Sequence, residues 1–155
     1  MKKESVWDYP RPPKLENFSG HIRIIHQGLI LADSNTCKRV LETSHPPTYY
    51  IPFSDINQKY LLPSSHRTFC EFKGKAAYFD LKTTEKVIKN VGWYYPTPSS
   101  KFSTLKDHVC FYPSKLDKCL VNDEMVQAQE GDFYGGWITS NIVGPFKGGP
   151  GTWGW

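Results

Sequence analysis

The chain has 155 residues, 39% hydrophobic and 15% aromatic, which suits one domain with a single core whose apolar mass sits mainly in rings. Nineteen basic against fifteen acidic side chains leave a formal charge of +4, too small and too dispersed for a dedicated nucleic-acid surface. Twelve glycines and twelve prolines exclude long helices, and no run approaches the ~18 apolar residues of a membrane-spanning helix.

Residues 1–19 read as a flexible, proline-rich arm. Met1 to Ser5 carries charge with no apolar stretch behind it, so it does not resemble a secretory signal. Pro10, Pro12 and Pro13 favour extended geometry, with Trp7 and Tyr9 as anchors to the body. The core domain is expected over residues 20–134. It opens on a hairpin: the β-branched run His21 to His26, a two-residue turn at Gln27 and Gly28, and a return over Leu29 to Asp33. That register sets Ile25 opposite Ile30 and Ile24 opposite Leu31, which predicts a sheet covered on both faces.

Cys37 to Thr43 makes a third strand, and the proline-bracketed run from Pro46 to Phe53 a fourth. Ser54 is positioned to cap a single helical turn through Asn57. Arg67 to Phe72 and Ala76 to Leu81 form a second hairpin about Lys73, Gly74 and Lys75. Val91 to Tyr95 and His108 to Tyr112 are aromatic strands, each ending at a proline. One short helix is expected near residues 122–131, between Asn122 and Gly131. From Gly135 to Trp155 the chain is an extended tail rich in Gly, Pro and Trp, with Trp137, Phe146, Trp153 and Trp155 filling grooves on the core. The fold class is mostly β, in one compact domain.

Reactive types concentrate between Arg67 and Lys75. On a strand, Thr68, Cys70 and Phe72 share one face and Arg67, Phe69 and Glu71 the other. A lysine close to Cys70 would favour its thiolate, which makes Cys70 and Lys73 candidate catalytic residues, with Asp55 a third. The alternative for Cys70 is a packed apolar side chain. His21, His26, His45, His66 and His108 follow no metal-binding spacing, and Cys37, Cys70, Cys110 and Cys119 include no C-x-x-C. No metal or cofactor is therefore expected, and the thiols read as those of a reduced, cytoplasmic protein. The glycines from Gly144 to Gly151 lack the Lys-Ser or Lys-Thr and the helix of a phosphate loop. The carboxylates are scattered, with no D-x-D arrangement to hold a catalytic magnesium. What remains is a wall of rings, Tyr49, Tyr50, Trp93, Tyr95, Phe111 and Tyr112, beside Asp55, Arg67, Thr68 and Lys73. Aromatic walls with a few placed polar groups describe a small-molecule site, and equally a tyrosine-rich β core.

An ordered series of motifs carries a resemblance. Pro46-Pro47-Thr48-Tyr49-Tyr50-Ile51-Pro52 with Asp55, then Thr68-x-Cys70-x-x-Lys73-Gly74-x-Ala76-x-Tyr78, then Trp93-x-Tyr95-x-x-Pro98 and Phe111-Tyr112, resembles the domain-of-unknown-function 427 family, also labelled nucleotidyltransferase-like. Gly135-Gly136-Trp137 and the stretch from Gly144 to Gly148 look like its longer, cyanobacterial-type form. The resemblance covers residues 20–121 and implies bent antiparallel sheets similar to a β-tent, with no accepted activity. It maps the family's motif residues onto Tyr50, Asp55, Thr68, Cys70, Lys73, Gly74, Trp93 and Tyr95. The combined expectation is a small-molecule-binding domain, as a binder or as an enzyme of unassigned reaction. Its cleft would use Tyr50, Asp55, Arg67, Thr68, Lys73, Trp93 and Tyr95, with neither nucleic acid nor membrane as partner. The alternatives are a protein-interaction module built on the Trp-rich tail and a thiol sensor at Cys70.

Overall fold

A computed structural model describes every residue of the chain except Glu85 and Asp132. Its strands are β1 (Glu4–Ser5), β2 (Lys14–Asn17), β3 (Ile22–His26), β4 (Leu29–Ser34), β5 (Lys38–Leu41), β6 (Thr48–Pro52), β7 (Leu61–Cys70) and β8 (Gly74–Lys82). They continue with β9 (Val87–Tyr94), β10 (His108–Phe111), β11 (Lys118–Val121), β12 (Glu124–Met125), β13 (Gln127–Ala128), β14 (Trp137–Ile138) and β15 (Ile142–Val143). Seven of them form one antiparallel sheet in the order β2-β5-β6-β10-β9-β8-β7, and a second sheet runs β12-β11-β3-β4. Helical geometry among the described residues is confined to short 3₁₀ turns, none long or apolar enough to cross a membrane.

Strand alternation divides the large sheet between two clusters. Tyr49, Ile51, Val109, Phe111 and Leu81 face one side, where they meet Ile22, Ile24, Leu31, Cys119 and Val121 of the second sheet. Tyr50, Cys110, Ala76 and Tyr78, on the same strands, face the opposite side with Trp93, Tyr95, Tyr112, Phe102 and Leu105. The first cluster is the main core. The second is a tyrosine- and tryptophan-lined face, against which Phe102 and Leu105 of the 3₁₀ segment Ser100–Leu105 pack.

The first hairpin forms as its turn residues dictate, with Gln27 at φ 51° and Gly28 at φ 73°. Ile25 pairs with Ile30 as expected, but a bulge beyond it sets Ile24 opposite Ala32 instead of Leu31. Ile30 is half-exposed, so the second sheet buries one face only and the expectation of two covered faces is corrected. The turn after β6 is a 3₁₀ turn over Phe53–Asp55, begun at Pro52 without a side-chain cap; Ser54 does not cap it.

The helix expected over residues 122–131 is absent. Asn122 and Asp123 both adopt positive φ, 47° and 67°, and close the β11–β12 hairpin. The residues that suggested a helix cap are those a type I′ turn also selects, and a cap residue is not left-handed. The proline-rich segment is paired, not free: β2 is an edge strand of the large sheet, and β1 runs parallel to β15. Val6 and Tyr9 pack there with Leu41, Ile142 and Phe146. In the tail, Trp137 is fully buried, its indole N–H donating to the Phe111 carbonyl (2.9 Å), whereas Trp153 is 92% exposed.

Candidate functional site

A cleft of about 290 Å³ opens on the aromatic face of the large sheet. Its floor is Tyr50 of β6, Ala76 and Tyr78 of β8, and Trp93 of β9, side by side because Tyr78 pairs with Trp93 and Trp93 with Cys110. Trp93 donates its indole N–H to the Tyr50 hydroxyl (3.1 Å), and the two rings meet edge to face at 6.3 Å. Tyr95 lies 6.3 Å from Tyr50, and Tyr112 lies 4.8 Å from Trp93. Burial pushes the Tyr50, Tyr95 and Tyr112 phenols well above their ordinary range, so they act as neutral hydroxyls.

One wall is the end of β7 and its turn. Thr68, Cys70 and Phe72 point inward, as alternation demands, and the Thr68 hydroxyl bonds the Tyr78 hydroxyl at 2.9 Å. Lys73 follows at the turn. It is only 8% exposed, its ammonium lies 5.7 Å from the centre of the Phe102 ring, and no carboxylate pairs with it among the described residues. Among the described residues, the carboxylates that line the cleft are Glu42, which faces Arg11 at 3.8 Å, and Glu71, which is exposed at the rim.

The opposite wall comes from the segment before β6 and from the tail. His45 is 8% exposed and its ring lies 4.7 Å from that of Tyr134, over which the Lys147 ammonium sits at 5.2 Å. Burial, with Lys147, Arg11 and Lys73 nearby, lowers the His45 pKa to about 4, so its imidazole is neutral near pH 7. Gln129 ties this wall together, donating to the Lys147 carbonyl (2.7 Å) and to His45 Nδ1 (3.3 Å) while its own oxygen accepts from the Gly136 N–H (3.0 Å). Gly135, at φ 68°, passes so close beneath Trp93 and Tyr112 that a Cβ would lie 2.8–2.9 Å from their rings. A side chain there would push the tail off the cleft.

Of the residues singled out in the sequence, Tyr50, Thr68, Cys70, Lys73, Trp93 and Tyr95 line this one cleft. Asp55 does not. It ends the 3₁₀ turn after β6 and accepts from the hydroxyls of Ser34 (2.6 Å) and Thr36 (3.3 Å), pinning that turn to β4. Arg67 is also outside, since it occupies the outward parity of β7 and donates to the Ser64 and His66 carbonyls. Sequence reasoning missed His45, Tyr78, Gln129, Tyr134 and Lys147. Tyr78 was findable, as it shares strand parity with Ala76. The others come from segments without periodicity, and nothing local marks them. Among the described residues, no three His, Cys, Asp or Glu side chains gather in a way that could hold a metal ion.

The ring-walled cleft with the buried Lys73 is built largely from the motifs that carried the family resemblance. No curated protein matches the sequence. A family model described as a domain of unknown function (DUF427) matches residues 14–122, more than two thirds of the chain, and the chain belongs to that family.

Proposed function

We propose that the chain is a small-molecule-binding domain whose ligand occupies this cleft, with a flat apolar part among Tyr50, Trp93, Tyr95 and Tyr112 and an anionic group at Lys73. One observation carries the reading: a lysine only 8% exposed, its ammonium over the Phe102 ring, with no carboxylate partner among the described residues. Burying a charge costs stability unless it is compensated, and contact with one ring offsets only about 0.5–2 kcal/mol. An arriving anion supplies the missing partner. The volume, about 290 Å³, suits one small ring system with its substituents. Binding, not a particular reaction, is what these residues support; Cys70 on the wall has no partner among the described residues that defines a reaction for it.

The test is thermal shift with ring-bearing carboxylates and phosphates, ring-bearing amines serving as controls, on the natural chain and on Lys73→Met. The acids raise the melting temperature of the natural chain, and Lys73→Met loses that response while melting within about 1 kcal/mol of the parent. Equal stabilisation by amines, or an undiminished response in Lys73→Met, would refute the reading. The nearly bare Trp153 favours a second reading, an interaction surface at the tip of the tail. That reading predicts that Trp153→Ala changes partner capture and leaves the thermal response to acids intact.

A further inference from the structure

The hydrogen bonds around Gln129 fix more than its own position. Its oxygen accepts from the Gly136 N–H, so the atom facing the Lys147 carbonyl and His45 Nδ1 is its nitrogen. That nitrogen carries two hydrogens. The carbonyl, 2.7 Å away, takes one, and the second reaches His45 Nδ1 at 3.3 Å. Nδ1 must then present a lone pair, and the single proton of the neutral imidazole resides on Nε2. The tautomer follows from the connectivity of three bonds, two of them to backbone groups. Nε2–H has no acceptor among the described residues, although His45 is one of the most buried polar side chains of the cleft wall. A ligand acceptor in the cleft would complete it.

Resting on the cleft reading above, we propose that Gln129 locks His45 as a hydrogen-bond donor and that the ligand group it meets is an oxyanion, a carboxylate or a phosphate, shared with Lys73. A ligand cation or N–H would face both a like charge and a second donor, and is rejected. A ligand oxyanion satisfies both at once. The family match ends at residue 122, so Gln129, Gly136 and Lys147, which make the lock, all lie in the part of the chain beyond the match. Gln129 is a positioning residue; His45 and Lys73 are the binding residues.

Long-range proton–nitrogen correlation of the imidazoles in the full ¹⁵N-labelled chain reads the tautomer directly. The expected spectrum for His45 has a protonated Nε2 and an unprotonated Nδ1, unchanged from about pH 5.5 to about pH 8. Benzoate and phenyl phosphate are the probes, and they separate the carboxylate from the phosphate source. Whichever binds shifts Nε2 and leaves Nδ1 in place, while benzylamine does neither. Gln129→Glu replaces the donor with an acceptor, reverses the tautomer or charges the ring, and weakens the better probe by about tenfold or more. Should that variant not fold, Gln129→Met gives a mixture of tautomers and a smaller loss. A wild-type His45 protonated on Nδ1 overturns the proposal whatever the probes do. Probes that bind in a Lys73-dependent way without moving His45 overturn it and leave the binding cleft standing. If neither acid binds at about 10 mM, the cleft reading and the lock fall together.

Discussion

His45 packs a polar ring against Tyr134 and beside Lys147, Arg11 and Lys73, and that arrangement has a consequence for acid stability. Its pKa is about 4 in the fold against an ordinary value of 6.5, because burial first, and then the neighbouring cations, penalise the charged ring. Below about pH 6.5 the unfolded chain takes up a proton that the folded chain does not, so stability falls as the pH drops toward 4. The loss from this one group is at most about 3 kcal/mol. Burial lowers the His108 pKa as well, which adds a loss of the same sign. Glu4 acts only further down: burial would raise its carboxyl pKa, but the Arg39 and Tyr9 donors outweigh it and hold it below the ordinary range. His45→Gln, whose amide oxygen accepts the same Gln129 bond, is expected to lose roughly 2 kcal/mol less than the natural chain between pH 7 and about pH 4.5 in urea unfolding. Parallel losses in the two proteins would show that His45 is not buried neutral. None of this was legible locally, since a histidine before two prolines reads as a loop, and its environment comes from residues 84 and 102 positions away.

At the scale of elements, the sequence was most readable where period and turn chemistry agreed. The β3–β4 hairpin, the β7–β8 hairpin and the aromatic strands β9 and β10 overlap the expected runs, although β7 starts at Leu61 and not Arg67, and β9 at Val87 and not Val91. Strand parity separates Arg67 from Thr68, Cys70 and Phe72, which already argued against the expectation that Arg67 shares their cleft. The failure came at Asn122 and Asp123, where one residue class serves two geometries: a helix cap with extended backbone, or a turn with two left-handed residues. What decides is tertiary. The Asn122 side-chain oxygen accepts the His21 N–H (2.8 Å) and the Asn122 N–H donates to the His21 carbonyl (2.8 Å), docking the turn against the start of β3. Asp123→Gly keeps that contact and supplies the preferred second residue of a type I′ turn. It is expected to stabilise the chain by about 0.5–1 kcal/mol, measured by chemical denaturation. A helix there would make the same change cost about 1 kcal/mol, so the sign of the effect discriminates between the two geometries.

On the scale of the whole molecule, the tail decides whether the family domain is complete by itself. Residues 14–122 supply both faces of the large sheet, but Trp137 enters the main core from outside that span, 5.4 Å from the Tyr49 ring. The same stretch brings Gly135 beneath Trp93 and Gln129 behind His45, so the core and the cleft share one covering segment. The two ends of the chain then close on each other, through β1 and β15 and the Val6–Ile142 cluster. Beyond that closure the contacts thin out: Trp155 meets Trp7 edge-on at 5.1 Å, and Trp153 meets almost nothing. Nested truncations therefore have unequal effects. Removing residues 153–155 costs about 1 kcal/mol or less, the worth of one exposed aromatic pair. Removing residues 135–155 takes away a fully buried tryptophan, worth about 3–5 kcal/mol by itself, together with the strand pairings on either side of it. That loss is comparable to the whole stability of a domain this size, so the shorter chain is expected to lose its cooperative thermal transition. A sharp transition retained within about 1 kcal/mol of the parent would make the tail a separable module. The aromatic cleft would then have to close without it, and the interaction reading of the tail would displace the binding reading of the cleft wall.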